Sequence, residues 1–114
     1  MSPNNENPSR ALDGVRVVSF EQVLAGPFCT CILADMGAEV IKVERPGVGD
    51  LIRHWDKVVR GLSSGYVWLN RNKQSLTVDV KQEKGREILS QSGFNFTVAD
   101  GMKDAAEKVV RLAQ

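Results

Sequence analysis

The sequence predicts an α/β fold, a Rossmann-like parallel sheet with flanking helices. Three observations predict it. Short β-branched runs alternate with segments whose apolar residues recur at helical spacing, and glycine and proline clusters mark the changes from one to the other. A chain of 114 residues with 42% hydrophobic content can bury one ordinary core and no more.

The elements follow in order. "MSPNNENPSR" is polar and lacks the apolar centre of a signal peptide, so residues 1–10 are expected to be disordered. "VRVVSF" (15–20) is the first strand, entered from Gly14. Gly26-Pro27 then opens a helix on which Phe28, Ile32 and Met36 recur every four residues as one apolar face, stopped by Gly37. "EVIKVE" (39–44) is the second strand, and "RPGVGD" after it is a turn cluster, because proline fixes φ and the glycines permit positive φ. Between residues 51 and 73 we expect a short helix around Leu51 to Val59 and an irregular crossing around "GYVWLNRNK". "SLTVDV" (75–80) alternates as a third strand, "QEKGREILSQ" (82–91) is a helix, and "FNFTVA" (94–99) is a fourth strand. "KDAAEKVVRLAQ" closes the chain as a helix with Ala105, Ala106, Val109 and Leu112 on its apolar stripe, expected to pack inward on the sheet.

Parallel sheets hold ligands beyond the carboxyl ends of their strands. That places the functional edge near Glu21 to Pro27, Glu44 to Gly49 and Asp79 to Lys81. A dinucleotide fingerprint needs three spaced glycines after the first strand, and "EQVLAGP" supplies one, although Glu44 occupies the place of a ribose-binding acid. The P-loop pattern is absent. What remains is a helix starting at Pro27, whose N–H groups can face a phosphate, with Arg45 and Lys81 as nearby cations. These features also suit ordinary α/β packing, with Asp79 merely capping the helix that follows, and local chemistry leaves both readings open.

Other classes are excluded. A net charge of +1 offers no field for nucleic acid or an anionic membrane, and no apolar run is long enough to span a bilayer. Cys29 and Cys31 would point about 200° apart on a helix and have only His54 as company, so no metal site is expected. They are read as buried thiols of a reducing compartment, cytoplasmic with a mitochondrial or peroxisomal address left open. His54 has no visible partner for catalysis. Trp55, Tyr66 and Trp68 read as packing anchors, while Asn70 to Lys73 suit either a turn or ligand contact.

The stretch "ALDGVRVVSFEQVLAGPFCTCILADMGAEVIKVERPGVGD", followed by "RHW", "LNRNKQSLTVDVK" and "EKGREIL", resembles the class III CoA-transferase family. That family includes formyl-CoA and carnitine-CoA transferases and α-methylacyl-CoA racemase. The resemblance covers about residues 11–91, with Ser19 standing where the family often has Asp, and leaves 92–114 as a divergent strand-helix tail. It implies a CoA or acyl-CoA thioester as ligand, with no metal. Leu24 and Ala25 would line the CoA cleft, Arg45 would lie near the adenosine and its phosphates, and Val78, Asp79, Val80 and Lys81 would border adenine and ribose. It implies transfer of CoA between carboxylic acids, or α-proton removal in the racemase branch, by proteins several times longer that form interlocked dimers. The family's catalytic aspartate falls beyond Gln114, so no catalytic residue is assigned, and a non-catalytic CoA or nucleotide binder is the reading from another class.

Overall fold

The fold is seen in a computed structural model that describes residues 9–93 and 102–112. These fall into two units, Met1–Asp79 and Val80–Gln114. The first holds a parallel sheet of three strands, β1 (Arg16–Ser19), β2 (Glu39–Glu44) and β3 (Lys73–Thr77), in the order β1-β2-β3. Arg16 pairs with Glu39 and Ser19 with Lys42; on the other side Val40 pairs with Lys73 and Glu44 with Thr77. The α/β class expected from the alternating pattern is therefore present.

β2 is the central strand and is buried from Val40 to Glu44, as a strand covered on both faces must be. Side chains alternate across the sheet, so Val40, Lys42 and Glu44 share one face. Helix α1 (Ala25–Asp35) carries the chain from β1 to β2 and buries Pro27, Thr30, Cys31 and Ala34. Ala34 and Ala38 meet Val40 in the core, with Leu12, Val17 and Leu33 around them. Small residues on this face let the helix approach closely. The face expected from the four-residue spacing points the other way: Phe28, Ile32 and Met36 are 50%, 44% and 43% exposed. α1 is apolar nearly all round, so periodicity could not choose its buried side.

The β2–β3 connection also differs from expectation. A 3₁₀ turn, Leu51–His54, is all that forms of the helix read to Val59. The segment read as an irregular crossing contains α2 (Ser64–Leu69), capped by Ser63, whose Oγ accepts from the Tyr66 N–H. Asp56 fixes the approach to α2 by accepting from the Val58 and Ser64 N–H groups and from the Ser64 hydroxyl. Trp55 and Trp68 are 63% and 56% exposed, so neither is the packing anchor expected, whereas Tyr66 is half-buried. β3 starts two residues earlier than read and ends at Thr77, which leaves Val78 and Asp79 after the strand.

In the second unit α3 (Glu83–Gln91) buries Gly85 and Leu89, and α4 (Met102–Leu112) carries an Asp104–Lys108 pair at 2.7 Å. The strand expected at 94–99 lies outside the described residues. On α4 Ala105 is half-buried, whereas Ala106 and Val109 are exposed, and the Leu112 side chain lies outside the described ones. Of the two cysteines only Cys31 is buried; Cys29 is exposed, and both are free thiols. Among the described residues no helix is long and apolar enough to cross a membrane.

Candidate functional site

The carboxyl edge of the sheet is built on charged side chains that the strands deliver into the interior. Lys42 is fully buried, because period-two alternation puts it on the core face of the central strand. Its Nζ donates to Asp50 Oδ2 at 2.5 Å and to Asn70 Oδ1 at 2.9 Å, with Glu21 Oε1 at 3.9 Å. Lys73, at the start of β3, donates to Glu21 Oε1 (2.8 Å), the Pro27 carbonyl (2.9 Å) and Asn70 Oδ1 (2.9 Å). The Thr30 hydroxyl also donates to Glu21. A Cβ at Gly26 would lie 2.9 Å from Glu21 Cβ, so this glycine serves close packing over Glu21. Two lysines and two acids thus lock the β1–α1 loop, β2, the end of α2 and β3 to one another. No buried polar side-chain atom among the described residues lacks a partner.

Glu44, at the end of β2, gathers a second set. Its Oε1 accepts from the Asp50 N–H (2.9 Å) and Arg53 Nε (2.8 Å), and its Oε2 from Arg53 Nη2 (2.7 Å), the Tyr66 hydroxyl (3.2 Å) and the Ser75 hydroxyl. The Arg53 guanidinium lies over the Tyr66 ring, 3.7 Å from its centroid. This carboxylate is saturated, so Glu44 builds the turn and is not left open to a ribose.

The ionisation follows from these contacts. Burial would raise the Glu44 carboxyl, but hydrogen bonds from Arg53, Ser75 and the Asp50 N–H overcome it and lower its pKa to about 2. Burial likewise opposes ionisation of Glu21 and Asp50, yet both lie below the usual carboxylate range, Glu21 through Lys73, Ser19 and Thr30, Asp50 through Lys42 and the Val23 and Ile52 N–H groups. Burial pushes Lys73 down despite Glu21. Burial and the Glu44 charge push Tyr66 up to about 12. These acids stay ionised and tied at neutral pH, which suits a scaffold and not proton transfer.

Beside this scaffold lies a cavity of about 320 Å³. Glu44, Arg53, Ser75 and Thr77 line it from the sheet and the 3₁₀ turn, and Arg45, Gly47, Val48 and Gly49 from the turn after β2. Gly49 is at φ 65°, with Arg53 and Glu44 side-chain atoms 3.0 Å from where a Cβ would be, so any other residue there would be strained and would press on both.

The residues expected at the site are placed as follows. Arg45 is exposed, lines the cavity, and makes no ion pair among the described residues. Val78 is buried, and its N–H donates to the Glu44 carbonyl at 2.9 Å, which carries β2–β3 pairing one bond past the strand. Asp79 follows it, half-buried; the N-cap position of α3 is Gln82. Leu24 is the N-cap of α1 and Ala25 its first residue; both are exposed, and neither lines the cavity. They join the same edge through the Val23 N–H, which donates to Asp50 Oδ1 at 2.9 Å. Val80 and Lys81 begin the second unit, where their carbonyls accept from Arg86 Nη1 at 3.1 and 2.9 Å. The sequence reading gives Lys42 and Asp50 no role, and gives Glu21, Tyr66 and Lys73 only a strand end, a packing anchor and a turn or ligand contact. A signal existed in "EVIKVE", where a lysine stands in the middle of an apolar strand.

The His54 ring bonds the Val48 carbonyl (2.8 Å) and meets no acid–base partner among the described residues. Asn72, at φ 62°, bonds Asp35, as does Arg71, so these two residues form a turn. Among the described residues no cluster of metal-ligating side chains occurs.

Residues 12–91 match the family described as CoA-transferase family III. The chain belongs to CoA-transferase family III. Over 84 residues it is 50% identical to a formyl-CoA:oxalate CoA-transferase of Rhodopseudomonas palustris strain BisA53, covering 73% of this chain and 20% of that protein. It is 48% identical over 86 residues to the human succinyl-CoA:glutarate CoA-transferase, covering 75% and 20%. It therefore spans about a fifth of the length of these curated family III relatives. Among solved structures it is similar to Rv3272, a protein of Mycobacterium tuberculosis (TM-score 0.66, 42% identity, 73% of this chain and 24% of that one). It is also similar to a CAIB/BAIF family protein of Brucella suis (TM-score 0.62, 42% identity, 71% and 22%).

Proposed function

We propose that the carboxyl edge of this sheet is the adenine-nucleotide side of a coenzyme A or acyl-CoA site. The observation that carries the reading is Arg45, exposed beside the cavity at the end of β2, in a chain of a CoA-transferase family. Arg53 lines the same cavity but is committed to Glu44 through two hydrogen bonds, so Arg45 is the cation available for a phosphate. A planar guanidinium suits phosphate because it can donate two parallel bonds. Leu24 offers exposed apolar surface for the adenine, Val78 is buried next to Thr77, which lines the cavity, and Ala25 and Asp79 stand next to them in the chain. Val80 and Lys81 join the proposal on sequence resemblance alone. The reaction proposed for the complete protein is movement of CoA between carboxylic acids: a carboxylate attacks the acyl-CoA, breaking its C–S bond to give a mixed anhydride and the CoA thiolate, and the thiolate attacks the enzyme carbonyl of that anhydride, releasing the donor acid and leaving an enzyme thioester. The acceptor carboxylate reverses the two steps through a second mixed anhydride, leaves as its CoA thioester and frees the enzyme carboxylate. The nucleophilic carboxylate would come from outside residues 1–114. One observation favours a second reading, a non-catalytic CoA binder: the acids at this edge are all engaged.

Calorimetric titration of the 114-residue chain with CoA and with 3′-dephospho-CoA tests the first reading. CoA is expected to bind more tightly, and the preference is expected to shrink by about tenfold in Arg45→Ala, the worth of one charge-assisted hydrogen-bonded contact. Lys81→Ala is expected to reduce it as well. Equal affinities that neither substitution changes would count against these cations.

A further inference from the structure

Val23 has φ 65°, a left-handed conformation that is a true outlier for a β-branched side chain. Such strain persists only where neighbours impose it. The neighbour here is Asp50. Its Oδ1 accepts from the Val23 N–H (2.9 Å) and the Ile52 N–H (3.1 Å), while its Oδ2 is held by Lys42 Nζ at 2.5 Å. Asp50 is itself fixed, 1% exposed, with its own N–H on Glu44 Oε1. Nothing local to "EQVLAGP" requires a left-handed valine; the contact comes from 27 residues further along the chain.

We infer that Asp50 is a positioning residue, holding Val23 in its left-handed turn and so setting where Leu24 and Ala25 stand relative to the cavity beside Glu44. The inference rests on the proposed CoA site for its functional meaning, but its geometry stands apart from it. One carboxylate couples the turn after β2, which lines the cavity, to the loop that starts α1. Lys42 supplies the charge that keeps Asp50 ionised and aimed. A ligand touching both loops would meet them already in register, without the entropic cost of ordering them.

The test uses amide hydrogen exchange by NMR on the 114-residue chain, together with CoA titration. Asp50→Asn is isosteric and weakens the acceptor; Lys42→Met/Asp50→Ala removes it together with the charge that would otherwise be stranded. In the double variant, which leaves no buried charge unpaired, the Val23 amide is expected to exchange at least tenfold faster while the Val40 and Ile41 amides of the central strand change less than threefold; Asp50→Asn strands Lys42 and is expected to accelerate the strand amides as well. CoA affinity is expected to fall at least tenfold. Adding Val23→Gly is expected to recover threefold or more of that loss, since glycine takes positive φ without strain. A purely structural role for Asp50 would lower sheet protection and affinity together in the double variant, with no rescue by glycine, and would overturn the inference. So would an unchanged Val23 amide in a folded variant. If the unsubstituted chain binds no CoA, the functional reading fails, and the exchange of the Val23 amide still decides the positioning role.

Discussion

Lys42→Ala is expected to remove about 3–5 kcal/mol of folding stability, the cost of stranding one member of a buried ion pair. The side chain is fully buried and its ammonium joins Asp50 to Asn70, so its loss leaves the Asp50 carboxylate inside without its counter-charge. Domains of this size are stable by only about 5–15 kcal/mol, so the variant would stand near the threshold of folding. Arg16→Ala is the control. Arg16 and Glu39 form a pair whose side chains are 53% and 42% exposed, and solvent-exposed pairs contribute about 0–1 kcal/mol. Urea unfolding followed by circular dichroism should therefore shift the Lys42→Ala midpoint far more than that of Arg16→Ala. Comparable midpoints would mean that the buried network does not hold the β1–α1 loop, β2, the end of α2 and β3 together.

The isolated chain is also expected not to transfer CoA. A transferase of this kind needs a carboxylate free to attack a thioester, and the acids near the edge are bound elsewhere: Glu21 to Lys73, Asp50 to Lys42, and Glu44 to Arg53 with its pKa lowered to about 2. Asp13, Asp35 and Asp56 are likewise engaged, with Arg10, with Arg71 and Asn72, and with Ser64. Positioning of a reacting group is worth about 7–11 kcal/mol in well-oriented reactions, so binding without a placed nucleophile should leave the rate near background. Incubation with acyl-CoA and a panel of carboxylates, followed by hydroxylamine trapping and mass spectrometry, should yield no modified acid. A stoichiometric adduct on an aspartate or glutamate of this chain would overturn the expectation and make these 114 residues an enzyme.

What could be read from the sequence was what local physics specifies. "EVIKVE" and "VRVVSF" announced β2 and β1 because β-branched runs bounded by glycines have few other outcomes, and α3 followed from its helical spacing. The buried side of α1 was not legible, because an apolar helix with small residues on one side and large ones on the other satisfies either orientation until the sheet is in place. α2 is six residues long and too short for periodicity to register, and its start is a serine cap that composition alone does not single out. At the site, Arg45 could be picked from its position at a strand end. The Lys42–Asp50–Val23 connection could not, since it joins residues 8 and 27 positions apart that only the folded sheet brings together.

The central claim is that this edge receives a CoA nucleotide, and chemical-shift mapping of the 114-residue chain with CoA tests it most directly. The account predicts that saturating CoA moves the amides of Leu24, Ala25, Arg45 and Gly47 to Gly49, with the exposed outer face of α1, at Ile32 and Met36, unmoved. Perturbations confined to α1's outer face or to α4, or none at all at millimolar CoA, would contradict it.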